Sequence, residues 1–333
     1  MRPPLATARP WERRCVVSQR SVASTRPTVV GCYAFFDKVF PALGLLDYTE
    51  GMYHGDARVP YEVAQQNQIA YVLDQVNCGA GTRLIDVGCG NGELLAAAAR
   101  RGAGAVGITI SPEQVDRCRS RGLDARRVDY RDLDDAWFEQ FDAVVANGPI
   151  EHFALPEDAA AGRDDAVYRR MFEIFHRLID PHSPVRKLIN TTIHFVRPPN
   201  PRDLLSNPRR FQWGSERFHW AMLERSFGGW YPQLGQFDRC AEGLFQLRTS
   251  VDGTEDYHWT SEQWLRRVQS ELGHLGAAAR MLGRTLGVFF RQPRLCATML
   301  TCMLASQSWN WQFRGKHPPT CLLRQTWDWQ PRA

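Results

Sequence analysis

The sequence lacks the features that mark several common classes of protein. Nine cysteines are present among 333 residues, but no two form a C-x-x-C pair, which argues against a zinc site or a redox dithiol. No apolar run approaches the roughly 20 residues of a membrane span, and residues 1–30 lack the apolar stretch of a secretory signal. The net charge is only +5 with scattered arginines, whereas nucleic-acid binders usually carry a focused basic face. We therefore expect a cytoplasmic protein with no metal, no integral membrane segment and no nucleic-acid partner, and we leave a homodimer open.

The sequence does contain a regular alternation of strand and helix patterns. Short apolar strands are predicted at 83–87, 105–109, 125–128, 141–146 and 187–193, and helices between them at 93–101, 112–121 and 166–178. Further helices are predicted at 31–47 and 60–77 before this alternation, and at 261–272, 277–290 and 294–306 after it. Strands that alternate with helices at this spacing indicate parallel β-α-β units.

This pattern predicts an α/β, Rossmann-like fold with a mostly parallel seven-stranded sheet, helices on both faces and an inserted helical lid. The predicted segments are a disordered tail (1–30), a helical cap over the cofactor (31–80), a cofactor-binding core (81–195), a lid or acceptor insertion (196–243) and a C-terminal part of the core (244–333). In the last segment, the Trp-rich stretches 309–313 and 322–329 are expected to pair as an antiparallel edge of the sheet.

A glycine-rich loop follows the first strand of the alternation. Asp86 ends the strand, and Gly88, Gly90 and Gly92 follow at every second position. Glycines let the backbone approach a ligand and adopt positive φ angles, and the N-terminus of the next helix offers free N–H groups. A dinucleotide site prefers G-x-G-x-x-G, whereas Glu93 directly follows this loop. A carboxylate suits a cationic amino-acid moiety better than a pyrophosphate, so the loop favours a cofactor of that kind.

The end of the second strand carries neutral polar residues where dinucleotide folds place an acid. Thr109 and Gln114 are hydrogen-bonding side chains that suit a ribose or an adenine. Ser111 is the predicted N-cap of the next helix, with Pro112 at the first helical position.

Four segments in order carry a family resemblance: DVGCGNG (86–92), GITISPEQ (107–114), DYRDL (129–133) and GPIEHF (148–153). Together they resemble the cyclopropane-fatty-acid-synthase family of class I methyltransferases, from about residue 31 to 195 and again, more weakly, at 257–264. The resemblance implies that the chain binds S-adenosylmethionine and releases S-adenosylhomocysteine. Most members of that family methylate an alkene carbon of a lipid chain, and some relatives methylate amine nitrogens or small natural products.

The motifs and the resemblance together imply a set of cofactor-binding residues along the predicted cap and core. These are Tyr33, Thr49, Asp86, Gly88, Gly90, Gly92, Thr109, Ile110, Gln114, Tyr130, Arg131 and Asn147.

The predicted catalytic residues are Glu151, His152 and Tyr257. Glu151 follows the end of the fourth strand, where the ligand crevice of an α/β sheet opens, and it is the predicted base. Three structural alternatives stay open: Glu151 caps a helix, His152 is a hydrogen-bonding structural residue, and Tyr257 is a core aromatic. Tyr257 precedes Thr260, the expected cap of the helix that follows.

Departures from the family pattern bear on the reaction. Cyclopropane-forming members hold a bicarbonate with Cys, Glu, His and Tyr side chains, and by the resemblance Glu151 and Tyr257 fall on two of these positions. Gly51 falls on the Cys position and Asn190 on the His position. This counts against cyclopropane formation unless a neighbouring histidine compensates; the candidates are His152, His194 and His258.

The predicted lid is unusually aromatic, with side chains that either wall an apolar pocket or bury the lid against the core. These are Phe211, Trp213, Phe218, His219, Trp220, Trp230 and Tyr231. The leading hypothesis is C-methylation of an unsaturated apolar acceptor, which is a lipid or an isoprenoid-like or polyketide-like small molecule. The alternatives are N- or O-methylation of a small natural product, cyclopropane formation on an acyl chain, and a non-catalytic subunit that only binds S-adenosylmethionine.

Overall fold

A computed structural model of the chain describes residues 27–43, 48–274 and 291–332, together with some positions between 275 and 290. The first helix, α1 (Pro27–Val39), begins inside the segment expected to be a disordered tail, because a proline suits the first turn of a helix. A 3-10 turn at Phe40–Leu43 follows, so the helix predicted at 31–47 ends early. Pro41 explains this end, since a proline removes a backbone donor and restricts the residue before it. Residues 1–26, 44–47 and part of the helix predicted at 277–290 lie outside the described residues.

Seven strands form one sheet in the order β3-β2-β1-β4-β5-β7-β6. They are β1 (Arg83–Val87), β2 (Gly104–Thr109), β3 (Ala125–Arg127), β4 (Ala143–Asn147), β5 (Lys187–Phe195), β6 (Phe245–Asp252) and β7 (Thr320–Trp329). The first five are parallel neighbours, and β7 runs antiparallel between β5 and β6. The predicted fold class, a mostly parallel seven-stranded Rossmann-like sheet, is confirmed.

Helices cover both faces of the sheet and also occur in the segments predicted to form the cap (31–80) and the lid (196–243). They are α2 (Tyr61–Gln75), α3 (Glu93–Arg100), α4 (Pro112–Ser120), α5 (Pro156–Ala160), α6 (Asp164–Leu178), α7 (Pro201–Leu204), α8 (Glu216–Phe227), α9 (Gln236–Ala241), α10 (Thr254–Leu272), α11 (Pro293–Leu300) and α12 (Ser308–Trp311). Ser111 caps α4 as predicted, since its hydroxyl accepts the backbone N–H of Gln114 at 3.3 Å. None of the described helices combines the length and the apolar character that crossing a bilayer requires.

Alternate residues of the central strands enter two separate apolar layers. On one face, Leu84 of β1 packs with Leu73 of α2 and Leu94 of α3. On the other face, Ile85 belongs to the larger cluster that contains Phe172 of α6. Because side chains alternate across a strand, a parallel sheet covered on both faces needs such continuous apolar strands.

Two expectations for the C-terminal part are wrong. Residues 309–313 do not form an edge strand, because Trp309 lies in α12, and β7 is an interior strand whose hydrogen bonds go to β5 and β6. Helix α10 begins at Thr254 rather than near 261, with the backbone N–H of Thr254 bound to the Asp252 carboxylate at 2.8 Å. Thr260 is therefore inside the helix and is not its cap; its hydroxyl accepts the backbone N–H of Gly51 at 2.9 Å.

Candidate active site

A cavity of about 250 Å³ opens at the carboxyl ends of the parallel strands, the usual ligand position in an α/β sheet. The glycine loop forms one end, and α1, α10 and α12 enclose the other. Most of the predicted site residues line it, on elements far apart in the chain. They are Tyr33, Thr49, Asp86, Gly88, Gly90, Thr109, Ile110, Tyr130, Arg131, Asn147, Glu151, His152 and Tyr257. Their individual roles remain predictions.

Two predicted cofactor residues do not line this cavity. Gly92 has a φ of +84° and starts α3, and a Cβ there would lie 2.8 Å from the Cys118 sulfur and from a methyl carbon of Leu123. Gln114 lies behind Thr109, whose hydroxyl donates to the Gln114 side-chain oxygen at 2.6 Å. Both residues lie behind the residues that line the cavity and do not reach its surface.

The expectation for Glu93 is wrong. Its carboxylate does not face the cavity but pairs with the guanidinium of Arg121 at 2.7 Å. As the first residue of α3, Glu93 projects outward from the helix start, where a carboxylate interacts favourably with the helix dipole.

The glycine-loop end of the cavity has the shape and polarity of a nucleoside site. Gly88 has a φ of +82°, and a Cβ there would lie 2.6 Å from Pro149, so the loop tolerates no side chain at this position. Asp86 and Thr109 supply a carboxylate and a hydroxyl, and Tyr130 stacks on Phe153 with ring centroids 4.0 Å apart. This end fits a ligand that carries a ribose, an aromatic base and a charged amino-acid group.

The opposite end has aromatic walls, and most of them come from outside the predicted lid. The rings that line it are Tyr33, Phe36, Phe40, Tyr48, Phe227, Tyr231, Tyr257, Trp264 and Trp309. Of the seven lid side chains singled out in the sequence, only Tyr231 lines the cavity. Trp220 and Trp230 are buried and pack on Phe195, which holds the lid against the sheet. The lid aromatics thus mainly bury the lid, whereas α1, α10 and α12 build the wall.

Glu151 is a buried carboxyl group at the junction of the two ends. One carboxylate oxygen, Oε1, accepts the backbone N–H of Ile193 at 2.8 Å. The other, Oε2, is buried and has no hydrogen-bond partner among the described residues. Burial, with a further contribution from the charge of Glu50, raises the pKa of Glu151 to about 8. Glu151 therefore offers the cavity a carboxyl group that is neutral below that pH and ionised above it.

His152 connects three elements rather than facing a reactant with a free nitrogen. Its Nδ1 lies 3.1 Å from the carbonyl oxygen of Gly228, which can only accept, so Nδ1 carries the proton. Its Nε2 then accepts the hydroxyl hydrogen of Tyr33 at 2.9 Å. Burial lowers the pKa of His152 to about 4, so the ring stays neutral. These contacts favour the structural interpretation of His152 over a catalytic one.

Tyr257 reaches the cavity from the beginning of α10. Its ring packs on Phe313 with centroids 4.5 Å apart. Burial, followed by the nearby charges of Glu151 and Glu50, raises the pKa of the phenol well above its ordinary value. The hydroxyl therefore stays protonated and can donate a hydrogen bond.

The two positions that depart from the family pattern contribute no side chain to the cavity. A Cβ on Gly51 would lie 2.7 Å from both Ala64 and Tyr53. The Asn190 oxygen accepts the indole N–H of Trp327 at 2.7 Å, within the core. His194 packs on Phe237, and neither it nor His258 lines the cavity. Of the three histidines considered as replacements, only His152 does.

Glu50 is a cavity residue that the sequence-based prediction missed. It is buried, it lines the cavity, and its Oε1 accepts the amide N–H of Gln68 at 2.6 Å. One signal was available: Glu50 is an acid between the predicted cofactor residue Thr49 and Gly51. The resemblance instead singles out Gly51, because it falls on the Cys position of the family.

Comparison with known proteins identifies the family. The family model of mycolic acid cyclopropane synthetase matches residues 45–284, well over half of the chain. A probable fatty acid methyltransferase of Mycobacterium tuberculosis is 35% identical over 108 residues, which are 30% of this chain and 25% of the relative. The cyclopropane-fatty-acyl-phospholipid synthase of Escherichia coli K12 is 38% identical over 96 residues, 27% of this chain and 24% of the relative. The matched segment thus spans only about a quarter of the length of these relatives.

The fold extends the similarity over nearly the whole chain. The cyclopropane synthase MmaA2 of Mycobacterium tuberculosis superposes with a TM-score of 0.66 at 17% identity, covering 94% of this chain and 99% of that one. The chain therefore belongs to the mycolic acid cyclopropane synthetase family of S-adenosylmethionine-dependent transferases, as the sequence predicted for family, enzyme class and cofactor.

Proposed function

We propose that this protein transfers a methyl group from S-adenosylmethionine to an alkene carbon of an apolar, unsaturated acceptor. The acceptor is a lipid or an isoprenoid-like or polyketide-like small molecule. One observation carries the proposal: Glu151 lines a cavity with aromatic walls at one end and the glycine loop at the other, and one of its buried carboxylate oxygens has no hydrogen-bond partner among the described residues.

The residues at the glycine-loop end would hold the cofactor. Asp86, Gly88, Gly90, Thr109 and Tyr130 line that end and match its polar and aromatic parts. When bound, S-adenosylmethionine supplies an electrophilic methyl group. The chain's own contribution is to bind the two reactants together, orient them and exclude water.

Methylation of an alkene carbon leaves a positive charge on the acceptor, and two features of the cavity suit that charge. Aromatic faces such as those of Trp264 and Trp309 attract cations. In its ionised form, Glu151 then accepts a proton on Oε2, while the electrons of the broken C–H bond form a new double bond. Because the pKa of Glu151 is about 8, the ionised carboxylate is a stronger base than an ordinary glutamate. Tyr257 lines the same cavity and assists through its protonated hydroxyl, which can donate a hydrogen bond.

The names of the two relatives support a lipid acceptor, since one is a probable fatty acid methyltransferase and the other acts on fatty acyl phospholipid. Cyclopropane formation is the weaker candidate for this chain, because Gly51 and Asn190 offer the cavity no side chain. In N- or O-methylation the acceptor itself supplies a lone pair and no carbocation forms, so the cation-stabilising aromatic walls would have no such role.

Product analysis tests the proposal. The protein is incubated with S-adenosylmethionine carrying a ¹³C-labelled methyl group and a panel of unsaturated acyl, isoprenoid, polyketide and amine acceptors. The label is then located by NMR. A labelled methyl group, or an exocyclic =CH2 group, on a formerly unsaturated carbon supports C-methylation. Label on nitrogen or oxygen, or in a cyclopropane ring, overturns it.

Substitution of Glu151 tests the assigned base. Glu151→Gln keeps the size of the side chain and should lower turnover about 100-fold or more, the usual contribution of a general base. Its affinity for S-adenosylhomocysteine should remain within a few fold. Glu62→Gln, on the exposed side of α2 and paired with Arg267, is the matched control and should leave turnover unchanged. Intact turnover in Glu151→Gln would refute the assignment.

A further inference from the structure

The aromatic end of the cavity includes an amide side chain, Gln312, which neither the cofactor site nor the proposed reaction uses. We propose that Gln312, together with the neighbouring Tyr231, binds a hydroxyl group on the acceptor. The site would thereby select unsaturated molecules whose apolar skeleton carries an alcohol near the methylated double bond. This inference rests on the proposed function and adds a substrate class to it.

Gln312 reaches the cavity because the segment that precedes it is helical. The helix α12 ends at Trp311, and the backbone carbonyl of Gln312 accepts the Thr320 hydroxyl at 2.7 Å. Trp309 and Gln312 are three residues apart, a spacing that places side chains on one face of a helix, and both line the cavity. A strand over the same residues would have turned the two side chains to opposite faces.

The side chain of Gln312 has a buried hydrogen-bond acceptor that the protein leaves unused. Only 1% of the residue is exposed, and its Oε1 has no hydrogen-bond partner among the described residues. An unsatisfied amide oxygen in a buried site costs free energy, so native proteins usually complete such groups with a ligand or an ordered water. Because Gln312 lines the ligand cavity, a donor on the acceptor can supply the missing bond.

Tyr231 adds a proton donor beside this amide. Burial, followed by the charge of Glu151, raises the pKa of the Tyr231 phenol, and a hydrogen bond with the Gln312 side chain offsets part of that rise. Since Oε1 of Gln312 has no partner, this bond uses the amide nitrogen, and the phenol keeps its own hydrogen to donate. The interaction with Glu151 also shows that Tyr231 lies close to the proposed base.

An amide oxygen next to a phenol hydrogen selects the kind of group that can bind both. A hydroxyl donates its hydrogen to the amide and accepts the phenol hydrogen on the same oxygen. An ammonium group has no lone pair for the phenol, and an ionised carboxylate has no hydrogen for the amide. The pair formed by Gln312 and Tyr231 therefore fits a neutral alcohol.

Two other hydroxyl groups at this end are already bonded within the protein. The Tyr33 hydroxyl donates to Nε2 of His152 at 2.9 Å, and the Tyr48 hydroxyl donates to the carboxylate of Asp37. Both lie among aromatic rings that offer an acceptor only apolar contact. The hydrocarbon part of the acceptor would pack on these rings, with its hydroxyl group at Gln312.

A matched pair of ligands tests the inference without turnover. The alcohol 3-methylbut-2-en-1-ol and the hydrocarbon 2-methylpent-2-ene have nearly the same shape, because a methyl group replaces the hydroxyl. With S-adenosylhomocysteine present, NMR titration gives the affinity of each ligand for the wild type and for Gln312→Met, which keeps the side-chain length without the amide. The alcohol should bind the variant about three- to tenfold more weakly, as expected for one lost hydrogen bond. The hydrocarbon should bind the variant equally well or more tightly.

Controls separate the hydrogen bond from folding. The affinity of Gln312→Met for S-adenosylhomocysteine and its unfolding midpoint verify that it folds. Gln246→Met makes the same change at an exposed position of β6 and should bind both ligands as the wild type does. Tyr231→Phe removes the phenol hydroxyl and should weaken binding of the alcohol alone. An unchanged affinity of Gln312→Met for the alcohol would overturn the inference, and so would an equal loss for both ligands.

Turnover distinguishes this inference from the proposed function. Gln312→Met should lower kcat/KM for unsaturated alcohols about three- to tenfold and leave kcat/KM for the matching hydrocarbons unchanged. A protein that shows the difference in binding but methylates no acceptor would refute the proposed function and leave the hydroxyl site standing. C-methylation that responds equally to Gln312→Met for both kinds of acceptor would refute the hydroxyl site and leave the proposed function standing.

Discussion

The hydroxyl of Tyr33 on α1 and Nε2 of His152 after β4 are joined by a hydrogen bond of 2.9 Å. The other ring nitrogen of His152 binds the carbonyl oxygen of Gly228, at the end of the lid helix α8. One neutral imidazole therefore connects α1, the turn that carries Glu151 and the end of α8. These contacts support a structural interpretation of the histidine that follows Glu151.

Removal of this connection should be measurable. His152→Ala leaves a buried hydroxyl and a buried carbonyl without a partner, which typically costs about 1–3 kcal/mol of unfolding free energy. It should also weaken the binding of S-adenosylhomocysteine, because Tyr33, a predicted cofactor residue, loses the partner that positions its hydroxyl. Urea unfolding and calorimetry provide the two measurements.

A double-mutant cycle assigns the effect to the bond itself. Tyr33→Phe removes the same hydrogen bond from the other side, so the two substitutions should be less than additive. Full additivity would mean that Tyr33 and His152 act independently.

Because the pKa of His152 is lowered to about 4, its NMR titration should show no inflection near pH 6.5.

Glu151 should make the protein less stable as the pH rises. The folded protein keeps the carboxyl proton up to about pH 8, whereas the unfolded chain loses it near pH 4.5. Between these values the folded state binds more protons, so the unfolding free energy falls by up to about 1.4 kcal/mol per pH unit. The neighbouring phenols of Tyr33, Tyr231 and Tyr257 all have raised pKa values and stay neutral throughout.

The check is urea unfolding of the wild type and Glu151→Gln at pH 5.5 and pH 7.5. The variant lacks the titrating group, so its stability relative to the wild type should increase by about 2–3 kcal/mol between the two pH values. Parallel stability curves would show that Glu151 ionises normally in the folded protein.

The glycine loop should tolerate no added side chain at Gly88. Gly88→Ala introduces a methyl group 2.6 Å from Pro149 at a φ of +82°, on the surface of the cofactor end. We expect at least tenfold weaker binding of S-adenosylhomocysteine by calorimetry, together with a loss of stability. Gly122 is the matched control, since its φ is +74° and a Cβ there would meet nothing within 4 Å. Gly122→Ala should cost about 1–2 kcal/mol from the left-handed backbone alone and leave cofactor binding intact.

Arg324 should be required for folding more than an exposed arginine is. Arg324→Met removes the guanidinium from the half-buried Asp256 and the buried Gln68, and breaking a buried pair typically costs about 3–5 kcal/mol. Arg248→Ala, which breaks an exposed pair with Asp328, should cost about 1 kcal/mol or less. Denaturant unfolding compares the two variants. Equal losses would contradict the role of the buried network.

Turnover should not depend on bicarbonate. Gly51 and Asn190, at the two positions that depart from the bicarbonate-binding pattern, offer no side chain to the cavity. Activity in degassed, bicarbonate-free buffer should equal activity after bicarbonate is added back. A several-fold rise on addition would show that an anion is recruited by other groups.

Local chemistry accounts for the parts of the fold that were predicted closely. The helix α4 follows from Ser111 and Pro112 at its start, and β1 and the glycine turn follow from an apolar run that ends at Asp86. The errors are of another kind. The segment 309–313 has strand-like composition, but its first residues lie in the helix α12. The strand it was expected to pair with, β7, is hydrogen-bonded to β5 and β6 instead. Sequence patterns describe a segment, whereas strand pairing depends on which distant segments are available.

The sequence by itself determined the class of fold, the family and the position of the cofactor loop, because glycine spacing and strand–helix alternation act within a few residues of one another. Only the tertiary structure decided what the acceptor end contains. The charge of Glu50 helps raise the pKa of Glu151, which lies about 100 residues further along the chain. Glu50 in turn accepts a hydrogen bond from Gln68, and Gln68 is bound by Arg324, 256 residues away in the chain. A carboxyl group's charge in a buried site depends on what surrounds it in space, and no periodicity along the chain records those neighbours.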